Sequence, residues 1–257
     1  MLNLGRMSQQ PAQSGAAKIS AIFDVLGSAD AAGFPEGMTV AEVSRALCRD
    51  KSIVSRQLKS LLDTELIARD SSGRYRLSWR LFALAQRAGD QRITRLAAPI
   101  LRRLSDTVRE RSHLTVWSGD DVLTVHSESS RRSIEADDWV GHTVSPLSTA
   151  SGHALLLDHD TDDISALARR IDPTASGQRI RTVIDAVVSA RGRGYTYADK
   201  SFDPDIIGIG APIRDFRGQV VAAINISGPA YRIESNVTVL ARHVTAAARG
   251  FQPNSTP

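Results

Sequence analysis

Eight side chains between residues 51 and 76 carry the first chemistry the sequence offers: Lys51, Ser52, Ser55, Arg56 and Lys59, then Arg69, Arg74 and Arg76. Cations and hydroxyls interleaved in this way suit a polyanion, because guanidinium and ammonium groups meet phosphates while short polar side chains reach base edges. Any solvated helix can show such a face, so the elements that hold it decide. Thr39 and Glu42 in TVAE form a capping box that starts a helix with the stripe Val40, Val43 and Leu47. After the CRD break, Asp50 caps a second helix. In it Val54, Leu58, Leu61 and Leu62 share the packing face and the five polar residues take the other. LIARD and RYRLS flank Ser71, Ser72 and Gly73 as a hairpin that carries the three arginines. Helix, turn, polar-faced helix and arginine-bearing hairpin, in that order, predict a winged helix-turn-helix with double-stranded DNA as its partner.

Other chemistries find less support. His113, His126, His142, His153, His159 and His243 form no i, i+4 pair and no tight cluster with carboxylates, so each is expected to be structural or on the surface, and no metal is expected. Ser151 with His153 or His142 raises a hydrolase, but TASGH lacks the G-x-S-x-G elbow. Neither an enzyme nor a cofactor is expected. Cys48 is the single cysteine, which excludes an intrachain disulfide, and it is expected to be a small buried residue near a helix end. Hydrophobic content of 42% with 23% charged residues fits a globular protein. No run of about 18 apolar residues could span a bilayer, and the N-terminus lacks a signal-peptide core. A cytoplasmic protein without a membrane partner is the expectation.

A chain of 257 residues exceeds the usual single domain, and two are expected. Charge is divided between them. Residues 1–98 hold 14 Lys and Arg against 9 Asp and Glu, whereas residues 99–257 hold 18 against 19. The basic part coincides with the winged helix, so the larger part has a different partner. Ile19, Ile22, Phe23 and Leu26 give Lys18–Ala29 a helical stripe that supplies a third wall to the small core. From Ser78, WRLFALAQRAG reads as a linker helix. Ile93–Val108 is a further helical run in which Pro99 is tolerable only early or at a kink. Alternation then takes over: LTVW and VLTVH flank SGDD as a hairpin. STASGHALLL opens a helix, Ile180–Ala190 is helical with Val188 on its apolar face, and IIGIGAPI and VVAAINISG are strands before a helix from Asn236 to Gly250. The fold class expected is α+β: an N-terminal winged helix-turn-helix, a linker helix, and a C-terminal GAF-like effector-binding domain with a mainly antiparallel sheet. The boundaries are a flexible tail at 1–15, the DNA-binding domain at 16–78, the linker region at 79–98, the effector-binding domain at 99–250 and a tail at 251–257.

Read together, the two halves resemble an IclR-type bacterial transcription regulator over roughly residues 16 to 250. TVAEVSRAL, KSIVSRQLKSLLDTELIARDSSGRYRLSWRLFAL, SPLSTASGHALL, RGRGYTY and APIRDFRGQVVAAINISGP carry the likeness. The resemblance implies a homodimer or dimer of dimers on a partly palindromic operator, repression more often than activation, and a small effector, carboxylate-bearing or aromatic. Position by position, it places the effector at Ala150, Ser151 and Gly152, with Gly152 opening a helix whose free N–H groups suit a carboxylate. It adds Asp199, next to Ala198 where an acidic residue is common, Gly208 where many members have Cys, and Asn225 and Ser227 at paired polar positions. Gly208 is expected to leave room for a larger, aromatic effector. The competing class is a ligand-sensing or scaffold dimer that keeps the helix-turn-helix only for dimerisation.

Overall fold

The computed structural model describes residues 14–29, 32–85, 91–129, 139–199 and 201–251, in two compact units, Met1–Gly89 and Asp90–Pro257. Expectations for the N-terminal tail up to residue 13, the linker at 86–90 and the C-terminal tail from 252 lie outside the described residues.

In the first unit, α1 (Gly15–Gly27) starts where the Ser14 side chain accepts the Ala17 N–H. α2 (Val40–Ala46) begins with the full capping box: Glu42 N–H to Thr39 Oγ1, and Thr39 N–H back to Glu42 Oε2 at 2.7 Å. α3 (Lys51–Asp63) is capped by Asp50. The strands β1 (Ile67–Arg69) and β2 (Tyr75–Leu77) pair antiparallel, with Arg69 opposite Tyr75. Ile22, Leu26, Val43, Val54, Leu58, Leu61, Ile67 and Tyr75 are buried together. These are the apolar stripes of three helices closed by the hairpin, a winged helix-turn-helix. α4 (Trp79–Ala85) follows with Trp79 and Phe82 exposed and their rings edge to face at 5.7 Å.

The second unit is built on an antiparallel sheet of order β5-β4-β3-β8-β7-β6. Its strands are β3 (Arg111–Ser118), β4 (Asp121–Glu128), β5 (Thr143–Val144), β6 (Thr196–Asp199), β7 (Ile206–Arg214) and β8 (Val220–Pro229). Its helices are α5 (Gln91–Val108), α6 (Ala150–Leu155), α7 (Thr161–Ile171), α8 (Gly177–Arg193), α9 (Ala230–Ile233) and α10 (Val237–Arg249).

Strand alternation divides the sheet into two faces. Ile207, Ile209, Ala211 and Ile213 of β7, with Ala222, Ile224 and Ile226 of β8, share one core with Leu101 and Leu104 of α5 and Leu240 and Val244 of α10. The other face receives α6, while α7 and α8 close a second core around Leu156, Ile164, Val183 and Val187.

Several expectations are corrected here. Ile93 and Ala97, assigned to the linker, are buried in the sheet core, and α5 runs unbroken through Pro99. Pro99 and Arg95 are both exposed, so water can satisfy the Arg95 carbonyl that proline deprives of a helical donor. Phe251, assigned to the tail, is buried in the same core. Val188 is 44% exposed because the next turn of α8 carries it off the stripe of Val183 and Val187. α7 has no counterpart among the expected elements.

Candidate functional site

The first candidate site is the outer face of the winged helix. The Asp50 carboxylate accepts the N–H groups of Ser52 at 2.8 Å and Ile53 at 3.4 Å. The Ser52 hydroxyl also donates to it, and these bonds hold the Asp50 carboxyl below its ordinary range. Lys51, Ser52, Ser55, Arg56 and Lys59 are all exposed, while Val54, Leu58 and Leu61 are buried on the opposite side. The five polar residues therefore share one solvent-facing surface, with the Ser52 hydroxyl already engaged in the cap.

On the hairpin, Arg69 and Arg76 are exposed, and Arg69 lies over the Tyr75 ring at 5.3 Å. Arg74 is placed differently. Its guanidinium donates to the Gly37 carbonyl at 2.9 Å and the Glu42 carboxylate at 3.2 Å. The Thr39 backbone and hydroxyl, followed by Arg74, hold Glu42 below the usual carboxylate range. Arg74 thus braces the hairpin against the capping box. Cys48 is exposed, contrary to the expectation of burial. It lies past the end of α2 with φ +50°, in the turn to α3, and does not join a helical stripe.

The second candidate site is on the α6 side of the sheet. Thr149, not Ser151, caps α6, and its hydroxyl accepts the Gly152 N–H at 3.2 Å. Gly152 is the third residue of the helix, so that N–H is not free for a carboxylate. A glycine is needed there because a Cβ would stand 2.3 Å from Pro146 Cα. Ala150 and Ser151 are buried, and the Ala150 carbonyl accepts the Thr196 hydroxyl at 2.6 Å. Gly210 admits this close approach, since its Cβ would fall 2.7 Å from the same carbonyl. Gly208 does not open a space beside itself: a Cβ there would already meet Ala150 Cβ at 3.1 Å. Asp199 is exposed at the end of β6, one residue past buried Ala198, and alternation turns it to the opposite face.

Asn225 and Ser227 face the α6 side, joined by a residue that sequence reasoning set aside as structural or surface histidine. His113 lies directly across from Asn225. Its Nε2 is 3.2 Å from Ser227 Oγ, and its Nδ1 is 3.2 Å from Ser127 Oγ. Burial, then the Arg111 charge, lowers the His113 pKa to about 3, so the ring is neutral and one serine donates while the other accepts. Trp139 meets His113 edge to face at 6.2 Å and also contacts His142 and Phe202. The buried Asn225 Oδ1 has no hydrogen-bond partner. The structure therefore brings together Ala150, Ser151, Gly208, Asn225 and Ser227, adds His113, and leaves Asp199 outside.

A separate cleft of about 280 Å³ is lined in part by Leu157, Arg191, Arg214 and Arg249. Arg214 is paired with Asp158 and Arg191 donates to the Leu157 carbonyl, so this cleft has a structural cation network. Among the described residues no group of three or more His, Cys, Asp or Glu could hold a metal ion. No described helix is long and apolar enough to cross a membrane.

A winged helix-turn-helix joined to an antiparallel sensor-type domain defines a class of ligand-responsive transcriptional regulators. Residues 85–252 match the family described as Bacterial transcriptional regulator IclR C-terminal, and the chain belongs to that family. It is 26% identical over 220 residues to the HTH-type transcriptional regulator KdgR of Escherichia coli, spanning 83% of this chain and 84% of the relative. It is 27% identical over 248 residues to BhcR of Paracoccus denitrificans, spanning 90% and 85%. Among solved structures, an IclR homologue of Microbacterium hydrocarbonoxydans complexed with 4-hydroxybenzoate matches with TM-score 0.70 and 21% identity, over 93% of this chain and 97% of that one. The IclR of Thermotoga maritima matches with TM-score 0.65 and 21% identity, over 92% and 98%. The chain is a transcriptional regulator by family and not an enzyme.

Proposed function

We propose that this chain is an operator-binding repressor whose hold on DNA changes when a small carboxylate-bearing or aromatic metabolite occupies the α6 side of the sheet. It works as a homodimer or dimer of dimers in the cytoplasm. Residues 16–78 bind DNA, and the second unit binds the effector. The observation that carries this reading is the exposed polar face of α3, presented by a buried apolar stripe and flanked by two exposed hairpin arginines. Repressors such as AllR of Salmonella typhimurium, 24% identical over 202 residues, support the sign of control. The 4-hydroxybenzoate-bound homologue supports the class of effector.

Lys51, Ser55, Arg56 and Lys59 contact the groove and its phosphates, Ser52 positions the helix start, and Arg69 and Arg76 lie along the backbone. Genomic fragments selected by the full chain supply the operator. On it, Lys51→Ala or Arg56→Ala lowers affinity by about 1–3 kcal/mol where the side chain reads a base, whereas Arg69→Ala or Arg76→Ala weakens all sequences alike and reduces the salt slope by about one. Arg74→Ala acts through stability of the hairpin. No binding to any duplex in dilute salt, with or without candidate metabolites, would overturn the reading and leave the scaffold dimer.

A further inference from the structure

The sheet face beneath α6 holds an unusual amount of uncharged polarity. His113 and Asn225 are 6% and 8% exposed, and both ring nitrogens of His113 are already taken by serine hydroxyls. The neighbouring Asn225 amide oxygen is buried and meets no donor. A buried polar atom without a partner costs stability, and such atoms in folded proteins call for a ligand, a water or a role. Trp139 covers this polar floor, touching His113 from above, and the exposed ring of Phe202 contacts Trp139 at 6.0 Å.

We propose that this cradle selects a planar aromatic ligand bearing a hydroxyl group, the ring lying against Trp139 and the hydroxyl meeting the Asn225 amide. The inference rests on the effector-site reading above and narrows it. A hydroxyl both donates and accepts, so it satisfies the buried amide whichever way its oxygen and nitrogen point. A carboxylate accepts only and cannot satisfy an amide oxygen. An aromatic ring offers edge and face to Trp139 and Phe202, contacts that a two- or three-carbon acid cannot make. Specificity comes from the hydroxyl, because a site built around a buried polar group rejects the analogue that leaves it unpaired.

The test uses the full chain titrated with the three monohydroxybenzoates, benzoate and pyruvate, read by tryptophan fluorescence and by thermal shift. The shared carboxylate keeps charge constant, so hydroxyl and ring are varied separately. At least one monohydroxybenzoate is expected to bind about tenfold or more tighter than benzoate, the order of effect of one buried hydrogen bond. Pyruvate is expected not to bind. Asn225→Ala should abolish the preference for the hydroxyl, and Trp139→Ala should weaken every aromatic probe. Asn225→Leu, which keeps the volume and removes the unpaired amide, serves the same purpose should the alanine variant not fold. Equal affinity for benzoate and all the hydroxybenzoates, a hydroxyl preference that survives loss of the Asn225 amide, or no aromatic binding at all overturns the proposal. Pyruvate binding that Ser227→Ala abolishes, with no aromatic binding, overturns it while leaving the effector site in place. Hydroxybenzoate binding indifferent to both Asn225 and Ser227 variants overturns the site as well.

Discussion

His113 shows how a residue with an ordinary sequence context acquires a special environment. Its partners Ser127 and Ser227 lie 14 and 114 residues away, so only the pairing of β3 with β4 and β8 assembles them. Asn225 and Ser227 were legible from the ISGP strand, whereas nothing within a few residues of His113 announces it. Its pKa of about 3 lies well below the ordinary value of 6.5. Between those values the unfolded chain binds a proton that the folded chain excludes, so the contribution is intact above pH 6.5 and declines on acidification. The slope reaches about 1.4 kcal/mol per pH unit for one such group. His113→Gln should make the loss of stability between pH 6.5 and 4.5 shallower in urea melts. Buried His153, also shifted downward, keeps a slope of the same sign in the variant. Indistinguishable slopes for parent and variant would contradict the assignment.

At the scale of elements, local chemistry was most readable where the chain solves its own end effects. The Thr39–Glu42 box and the Asp50 cap form with the partners their spacing implies. Thr39→Ala removes the acceptor for the Glu42 N–H and one donor to the Glu42 carboxylate, and should cost about 1 kcal/mol. Denaturant midpoints of the full chain, followed by a probe in the first unit, check this; an unchanged midpoint would show that the box contributes nothing. α7 carries comparable signals, with Asp160 as its cap, Asp162 and Asp163 in the first turn and Arg169 and Arg170 in the last. Its short stripe of Ile164, Leu167 and Ala168 becomes persuasive only once α8 is there to cover it. Gly152 and Gly208 teach the converse. Their types suggest freedom and space, but neighbouring backbone and Ala150 fill the positions where their side chains would stand.

For the whole molecule, the charge division between the halves anticipates two partners, and the family supplies the link between them. An effector can alter operator affinity only by its differential affinity for the arrangements that bind DNA well and badly. Couplings of this kind run to about 1–3 kcal/mol, or roughly 5- to 150-fold in affinity. Mobility shifts at saturating effector should show a change in that range, and the operator should change effector affinity by the same factor. Operator affinity constant across the effector titration would sever the two functions.

The sequence by itself determined the winged helix and its polar reading face, because caps, turns and 3.6-residue stripes are decided by neighbours a few positions apart. It also determined the family, through motifs that recur along the chain. The tertiary structure alone decided that Arg74 braces the hairpin, that Asp199 turns away from the sensor site, and that His113 stands beside Asn225. Those outcomes depend on strand register and on the close approach of α6 to the sheet, and a one-residue change in register would move every side chain to the other face.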